Sequence, residues 1–256
     1  MDSLVARSLK KALHPFRTAL GRFVIAPDVV DTNSIAYRAA SLIAAEKIEG
    51  DYLEFGVYRG DSFVSAYRGI EKAFENSSAP GAWNLDGDCT ERRRIWDRMR
   101  FFAFDSFQGL PSLAGADQAT RDFALGKYRS SREEFTSNLL KARLDMERVR
   151  VVAGWFDDVL KQETIERHDL RTAAIVHIDC DLYESARTVL RFLTPLVTDG
   201  TVIIFDDWYC YRGHPNFGEQ RACREWLEAN PELHLTEYQK EGPWKNSFIV
   251  NRWKAL

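Results

Sequence analysis

A short apolar segment that leads directly into a glycine turn and then a helical pattern constrains the fold of this chain more than any other feature. Asp51–Phe55 is followed at once by Gly56 and, four residues later, by Gly60. From Phe63 onward the apolar side chains recur at helical spacing. Strand, glycine turn and helix in this order predict an α/β fold with a ligand crevice at the carboxyl end of a parallel strand.

The glycines follow a carboxylate in an E-x-G-x-x-x-G spacing, which differs from the G-x-G-x-x-G spacing of dinucleotide-binding folds. The dinucleotide fingerprint places its glycines beneath a pyrophosphate at a helix N-terminus. At Glu54 a pyrophosphate would be repelled, whereas an ammonium group would be attracted through a charge-assisted hydrogen bond. A nicotinamide-dependent dehydrogenase is therefore disfavoured, and a cofactor that carries an ammonium group is favoured.

Strand and helix patterns alternate along the rest of the chain. The patterns predict strands at Tyr52–Phe55, Phe101–Phe104, Val149–Ala153, Ala173–Ile178, Thr201–Phe205, Leu233–Tyr238 and Ser247–Asn251. They predict helices at 32–48, 62–75, 90–99, 131–143, 184–194 and 217–229. This order implies a doubly wound, mostly parallel sheet that ends in an antiparallel strand.

The predicted domain organisation is one Rossmann-like domain at 31–256, preceded by an N-terminal helical extension at 1–30. Two long loops interrupt the alternation, at 76–88 and 108–126. The second loop begins at the carboxyl end of a predicted strand, so we interpret it as a candidate lid.

Composition narrows the class of function. The chain has 256 residues with a net charge of -3, which does not favour a nucleic-acid partner. No apolar run approaches the ~18 residues that span a bilayer, no signal peptide is recognised, and the cysteines form no C-x-x-C pair. We therefore expect a cytoplasmic protein with reduced cysteines and no membrane span; a homodimer is one option for its oligomeric state.

Two further strand ends carry candidate cofactor contacts. Asp105 ends the predicted strand Phe101–Phe104, where a carboxylate can accept hydrogen bonds from both hydroxyls of a ribose. Trp155 and Phe156 follow the next strand, and they either flank an adenine ring or belong to the core. Together with the glycine turn, Asp105 favours a nucleoside-containing cofactor.

Acidic residues follow two neighbouring buried strands. Asp179-Cys180-Asp181 comes after Ala173–Ile178, and Asp206-Asp207 comes after Thr201–Phe205. Because adjacent parallel strands lie about 4.8 Å apart, these carboxylates must converge, and their mutual repulsion favours a bound cation such as Mg²⁺. We interpret His177 as a satisfied core histidine whose side chain points away from Asp179.

Five motifs in this order, LEFGVYRGDS, FAFDSFQGLP, GWFDDVL, HIDCDLYES and VIIFDDW, resemble the macrocin O-methyltransferase family. The resemblance implies a class I methyltransferase that uses S-adenosylmethionine (SAM) and Mg²⁺ to methylate a hydroxyl of a sugar or glycosylated natural product. It implies SAM contacts at Glu54, Gly56, Gly60, Ser62, Asp105, Ser106, Trp155 and Phe156. It implies metal ligands at Asp179, Asp206 and Asp207.

The resemblance leaves the catalytic base and the acceptor open. Asp179 or Asp181 is the candidate base, with His214 a weaker one. Cys180 stands where the family usually has glycine, and the segment 208–217 is unusually aromatic.

Two other functions remain as alternatives. A metal-dependent glycosyltransferase could use Asp179-Cys180-Asp181 as a D-x-D motif, but it would leave Glu54 and Asp206-Asp207 unexplained. A catalytically silent binding module with the same fold would be expected to lack an acid of the metal site, and none is missing.

Overall fold

In the computed structural model, which describes residues 30–79, 89–112, 117 and 125–253, seven strands form a single sheet. The strands are β1 Asp51–Phe55, β2 Phe101–Asp105, β3 Val149–Ala153, β4 Ala173–Ile178, β5 Val197–Phe205, β6 Leu233–Glu241 and β7 Lys245–Arg252. The helices among these residues are α1 Ile35–Glu46, α2 Asp61–Ser78, α3 Cys89–Arg98, α4 Arg132–Lys141, α5 Phe156–Val159, α6 Gln162–His168, α7 Tyr183–Leu193 and α8 Gly218–Ala229. Each strand and helix predicted within the described ranges is present.

The strand order is β3-β2-β1-β4-β5-β7-β6. All pairings are parallel except those of β7, which runs antiparallel to both β5 and β6. The predicted doubly wound sheet with an antiparallel C-terminal strand is therefore confirmed. The chain reverses its direction of winding between β1 and β4, and in such sheets ligands bind at that switch point.

The apolar pattern of the strands explains why helices cover both faces of the sheet. Every residue of β1 and β4 is buried, so successive side chains pack against opposite layers. Tyr52 joins a cluster with side chains of α1 and α2, whereas Leu53 and Phe55 join a cluster with side chains of α7 and α8. Fully burying one such large apolar side chain contributes about 1.5–3 kcal/mol.

Some element boundaries differ from the prediction. Helix α2 continues to Ser78; within its last turn Ser77 is buried, and its hydroxyl donates to the carbonyl of Ala73 at 2.6 Å. The predicted loop start at residue 76 is therefore wrong. The short helices α5 and α6 were not predicted, since segments of 4 and 7 residues are too short to show helical periodicity.

Other predictions fall outside the described residues. The N-terminal extension lies in 1–29 and most of the candidate lid in 113–116 and 118–124, so both stay predictions. The described base of the 108–126 loop is closed by backbone hydrogen bonds from Leu110 to Lys127 and from Gly126 to Leu110, at 2.9 and 3.0 Å. Among the helices of the described ranges, none combines the length and apolar character that crossing a membrane requires.

Candidate active site

The carboxyl ends of β1, β2, β4 and β5 surround one cavity of about 760 Å³. This volume lies in the range of ~300–1,000 Å³ typical of small-molecule and cofactor pockets. The predicted site residues on its wall are Gly56, Ser62, Asp105, Ser106, Trp155, Phe156, Asp179, Asp181, Asp206 and Asp207. Two residues of the predicted set, Glu54 and Gly60, do not line the cavity.

The turn after β1 requires glycine for contacts within the protein. Gly56 has φ +88°, and a Cβ there would lie 1.8 Å from the carbonyl oxygen of Asp179. Gly60 has φ +93°, and its Cβ would approach Leu139 and Phe135 to 2.9 and 3.0 Å. The glycine spacing therefore lets β1 and β4 lie side by side at the cavity, whether or not a ligand also approaches it.

Replacing Gly56 with alanine is expected to lower the free energy of unfolding by about 3 kcal/mol or more, because strain at positive φ adds to a backbone clash. Gly242→Ala is the matched control: Gly242 has φ +59°, and its Cβ would meet no atom within 4 Å. The control should lose only about 1–2 kcal/mol. Urea unfolding followed by circular dichroism measures both, and equal losses would contradict the contact between β1 and β4.

Glu54 is completely buried and both of its carboxylate oxygens are already engaged. They accept hydrogen bonds from the hydroxyls of Tyr52 and Ser62, each at 2.5 Å. Since Ser62 lines the cavity and Glu54 does not, any contact of Glu54 with a ligand would pass beside this serine. The direct contact of Glu54 with an ammonium group stays a prediction.

Asp105 lines the cavity and fixes the turn after β1. Its Oδ2 accepts from the backbone N–H groups of Val57 and Tyr58 at 2.8 and 2.9 Å, and its Oδ1 accepts from Phe107 at 2.7 Å. Each carboxylate oxygen has two lone pairs, so Oδ2 is fully used, whereas Oδ1 can accept one more hydrogen bond. Asp105 can therefore hold the glycine turn and still face a ribose.

The aromatic residues after β3 lie between the cavity and the core. Trp155 and Phe156 both line the cavity. Phe156 also packs edge-to-face on the core residue Phe55, with ring centroids 6.1 Å apart. Core packing on one side therefore presents an aromatic surface to the cavity on the other.

His177 faces the acid cluster, so the prediction that it points away from Asp179 is wrong. Side chains two positions apart on a strand project from the same face. One ligating atom from each of His177, Asp179 and Asp206 lies within 4.8 Å of the others. His177 is nevertheless buried and bonded, with Nε2 2.9 Å from Asp206 Oδ1 and Nδ1 3.8 Å from Glu54 Oε2.

Lys245, which the sequence analysis did not identify as a site residue, adds a second positive charge beside Asp206. Lys245 Nζ lies 2.5 Å from Asp206 Oδ1, which also contacts His177. Antiparallel pairing of Phe205 with Asn246 places Lys245 beside Asp206, and this register was not deducible before the pairing of β5 with β7 was known. Glu54, His177, Asp206 and Lys245 thus connect the glycine turn to the acid cluster.

The local environment lowers the pKa of one carboxyl group in the acid cluster and raises the pKa of three others. Burial raises the pKa of Asp206, but His177 and Lys245 outweigh it and hold that pKa at about 2. Burial and repulsion from Asp206 raise the pKa of Asp179 well above its usual range, and the same two causes raise that of Asp207. Burial and the neighbouring Asp207 raise the pKa of Asp181 to about 8.

Asp207 offers an unsatisfied oxygen to a cation. Its Oδ1 accepts from the thiol of Cys210 at 3.1 Å, whereas its buried Oδ2 has no hydrogen-bond partner among the described residues. A buried acceptor left unpaired costs about 1–3 kcal/mol, and a bound cation would remove this cost. Oxygen-rich donor sets favour Mg²⁺, so the acid cluster fits this ion, although Asp207 lies outside the His177, Asp179 and Asp206 group.

The structure separates the candidate bases. Asp179 and Asp181 line the cavity, whereas His214 is exposed and does not. The ring of His214 instead accepts a hydrogen bond from the backbone of Asn216 at 3.2 Å and packs against Phe217. The choice between Asp179 and Asp181 stays open.

A second residue missed in the sequence shapes the cavity wall. Asp117 is buried, lines the cavity and accepts from the backbone N–H groups of Tyr183 and Glu184 at 2.9 and 3.1 Å. It thereby caps the first turn of α7, the helix that follows the acids of β4. No spacing in the sequence links residue 117 to this helix.

With this geometry established, comparison with known proteins identifies the family. A model of the macrocin-O-methyltransferase (TylF) family matches residues 85–228. The chain belongs to the macrocin-O-methyltransferase family. The resemblance predicted from the five motifs is thus confirmed.

Two O-methyltransferases from Streptomyces share moderate sequence identity with this chain. The demethyldecarbamoylnovobiocin O-methyltransferase of Streptomyces niveus is 32% identical over 171 residues, which is 65% of this chain and 55% of that protein. The 8-demethyl-8-(2,3-dimethoxy-α-L-rhamnosyl)-tetracenomycin-C 4′-O-methyltransferase of Streptomyces olivaceus is 29% identical over 171 residues, 65% of this chain and 56% of that protein. The matches therefore span about half the length of these relatives.

Solved structures show the same fold. The O-methyltransferase NovP superposes with a TM-score of 0.63 at 23% identity, covering 85% of this chain and 78% of that chain. The calicheamicin methyltransferase CalS11 gives 0.58 at 19% identity, covering 86% and 79%. These similarities establish the class I methyltransferase fold for this macrocin-O-methyltransferase family member.

Proposed function

We propose that this protein transfers the methyl group of SAM to a hydroxyl of a sugar or a glycosylated natural product, with Mg²⁺ bound at the acid cluster. One observation carries the proposal: the acids after β4 and β5 line the same cavity as the turn after β1 and Asp105. The family's chemistry requires a cofactor and an ionisable acceptor to meet in one place. We infer that both bind in this one cavity.

The cofactor is assigned to the β1 and β2 side of the cavity. Asp105 and Ser106 would contact the ribose, and Trp155 and Phe156 would flank the adenine. Ser62, bonded to Glu54, lies where the amino-acid end of the cofactor would sit, beside the glycine turn. Because Asp105 is already fixed by three backbone hydrogen bonds, little side-chain entropy is lost when it binds a ligand.

The metal is assigned to Asp179, Asp206 and Asp207. Mg²⁺ would supply Lewis-acid stabilisation of the acceptor's ionising hydroxyl. Lys245 and His177 hold Asp206 ionised, so this carboxylate is negatively charged before any cation arrives. Asp179 and Asp181 both line the cavity, and whichever of them is ionised when the acceptor binds would accept the proton of the hydroxyl.

The acceptor class follows from the family and from the relatives' names. The name of the Streptomyces olivaceus relative specifies a rhamnosyl group on its acceptor. A cavity that combines carboxylates with exposed aromatic rings suits an acceptor with hydroxyls on one part and apolar surface on another. We expect a small carbohydrate-containing acceptor, a cytoplasmic location and no nucleic-acid partner.

A metal-dependent glycosyltransferase is not favoured. Asp179 and Asp181 do line the cavity, as a D-x-D motif would require. That activity assigns no role to Asp105 or to the row of charges from Glu54 to Lys245, and the family match points to a methyltransferase.

A binding and turnover experiment tests the proposal. The protein is titrated calorimetrically with S-adenosylhomocysteine (SAH) and, separately, with UDP-glucose and TDP-glucose. It is then incubated with SAM, Mg²⁺ and a panel of sugar and phenolic acceptors, and products are analysed by mass spectrometry. We expect SAH to bind and an acceptor to gain one methyl group; binding of a nucleotide-sugar without SAH binding would refute the proposal.

A further inference from the structure

An exposed tryptophan stands at the cavity without an aromatic partner. Trp244, in the turn between β6 and β7, is 56% exposed and lines the cavity. Within the described ranges its ring packs on no other aromatic ring, whereas Trp253, which is 65% exposed, packs in a tilted geometry on His234 with ring centroids 4.2 Å apart. Aromatic side chains that line a cavity are typical of the surfaces that bury small-molecule ligands.

The backbone fixes Trp244 relative to the acid cluster. Its carbonyl accepts a hydrogen bond from the backbone N–H of Tyr209 at 3.0 Å. The next residue, Lys245, reaches Asp206 Oδ1 at 2.5 Å. The backbone of Trp244 is therefore held next to Lys245, the residue that forms the ion pair with Asp206.

A second exposed aromatic residue lines the same cavity from another segment. Tyr128 is 44% exposed and packs edge-to-face on Tyr58, with ring centroids 6.0 Å apart. The side chain of Asp206 is only 22% exposed, so the carboxylate is less accessible to water than Trp244 or Tyr128. An acceptor that places a hydroxyl at the carboxylates would leave its remaining part near the exposed rings.

We propose that Trp244, together with Tyr128, forms an aglycone subsite that binds a flat apolar ring attached to the acceptor sugar. This inference rests on the proposed function only for the identity of the sugar part. Aromatic rings stack on other flat apolar rings and become dehydrated when they do so. The subsite therefore selects aryl glycosides over alkyl glycosides of the same sugar.

The test compares two probes, 4-nitrophenyl α-L-rhamnopyranoside and methyl α-L-rhamnopyranoside, by calorimetry on protein saturated with SAH and Mg²⁺. Wild type should bind the aryl glycoside about tenfold more tightly than the methyl glycoside. Trp244→Ala should bring the two affinities to within about twofold without weakening the methyl glycoside, whereas Trp244→Phe should keep most of the preference. Trp253→Ala is the matched control, because that exposed tryptophan lies outside the cavity wall, and it should behave as wild type.

Equal affinity of wild type for the two glycosides, no detectable binding of either, or an unchanged preference in Trp244→Ala would each overturn the subsite. Circular dichroism checks that the variants fold. Incubating the same probes with SAM and Mg²⁺ then separates the two proposals. An aryl preference in binding without methylation of either probe would leave the subsite standing and count against the proposed activity.

Discussion

Replacing Asp206 with asparagine is expected to lower kcat for methyl transfer roughly 10²–10³-fold while leaving SAH affinity close to that of wild type. The amide keeps the shape of the side chain but removes the charge that would hold the metal. His177 and Lys245 both contact Asp206 Oδ1, so this variant also leaves two cationic neighbours without their counterion. Added Mg²⁺ should not restore the activity.

Lys245→Met is the matched control for Asp206→Asn. It breaks the same ion pair but leaves the carboxylate in place, with His177 still 2.9 Å from it. Activity of this variant should exceed that of Asp206→Asn and should still respond to Mg²⁺. Steady-state kinetics with quantified acceptor methylation distinguish the two, and equal losses in both variants would mean that the ion pair, rather than a metal, accounts for the effect.

Replacing Asp105 with alanine is expected to weaken SAH binding at least about tenfold. The loss has two sources, since the proposed ribose contact disappears and the backbone N–H groups of Val57, Tyr58 and Phe107 lose their acceptor. The fold should persist, because β2 is held on both sides by parallel partners. Calorimetric titration with SAH measures the effect.

Asp199→Ala provides the control for Asp105→Ala. Asp199 also accepts a backbone hydrogen bond, from Arg252 at 2.6 Å, but it is outside the cavity wall. Its loss should leave SAH affinity unchanged. If Asp105→Ala bound SAH as tightly as this control does, Asp105 would have no part in the cofactor site.

The sequence predicted the positions of the strands because the central ones are uninterrupted apolar segments. β4 is buried throughout, so Ala173–Ile178 could be identified without knowledge of its neighbours. The proximity of Asp179 to Asp206 could then be predicted, since residues that follow adjacent parallel strands must meet at one edge of the sheet. The glycine turn was recognised because it follows the uninterrupted apolar segment of β1. The contact that requires Gly56, however, is with Asp179, the residue after β4.

Other features depended on contacts between segments that are far apart in sequence. Lys245 reaches Asp206 only because β7 pairs antiparallel with β5, and Asp117 reaches α7 from a loop. His177 was predicted to face away from Asp179 although side chains two positions apart share a face. The row of charges from Glu54 to Lys245 thus required the structure, whereas the acids it supports did not.

Methyl transfer to an acceptor, measured with and without divalent metal, is the decisive test of whether the acid cluster is a catalytic metal site. The wild-type protein is stripped with EDTA, incubated with SAM and the acceptor, and sampled by mass spectrometry before and after excess Mg²⁺ is added. SAH affinity is measured in the same EDTA buffer. We expect no methylated acceptor in EDTA, retained SAH binding, and methylation once Mg²⁺ is restored. Full methylation in EDTA, with metal removal verified by elemental analysis, would contradict it.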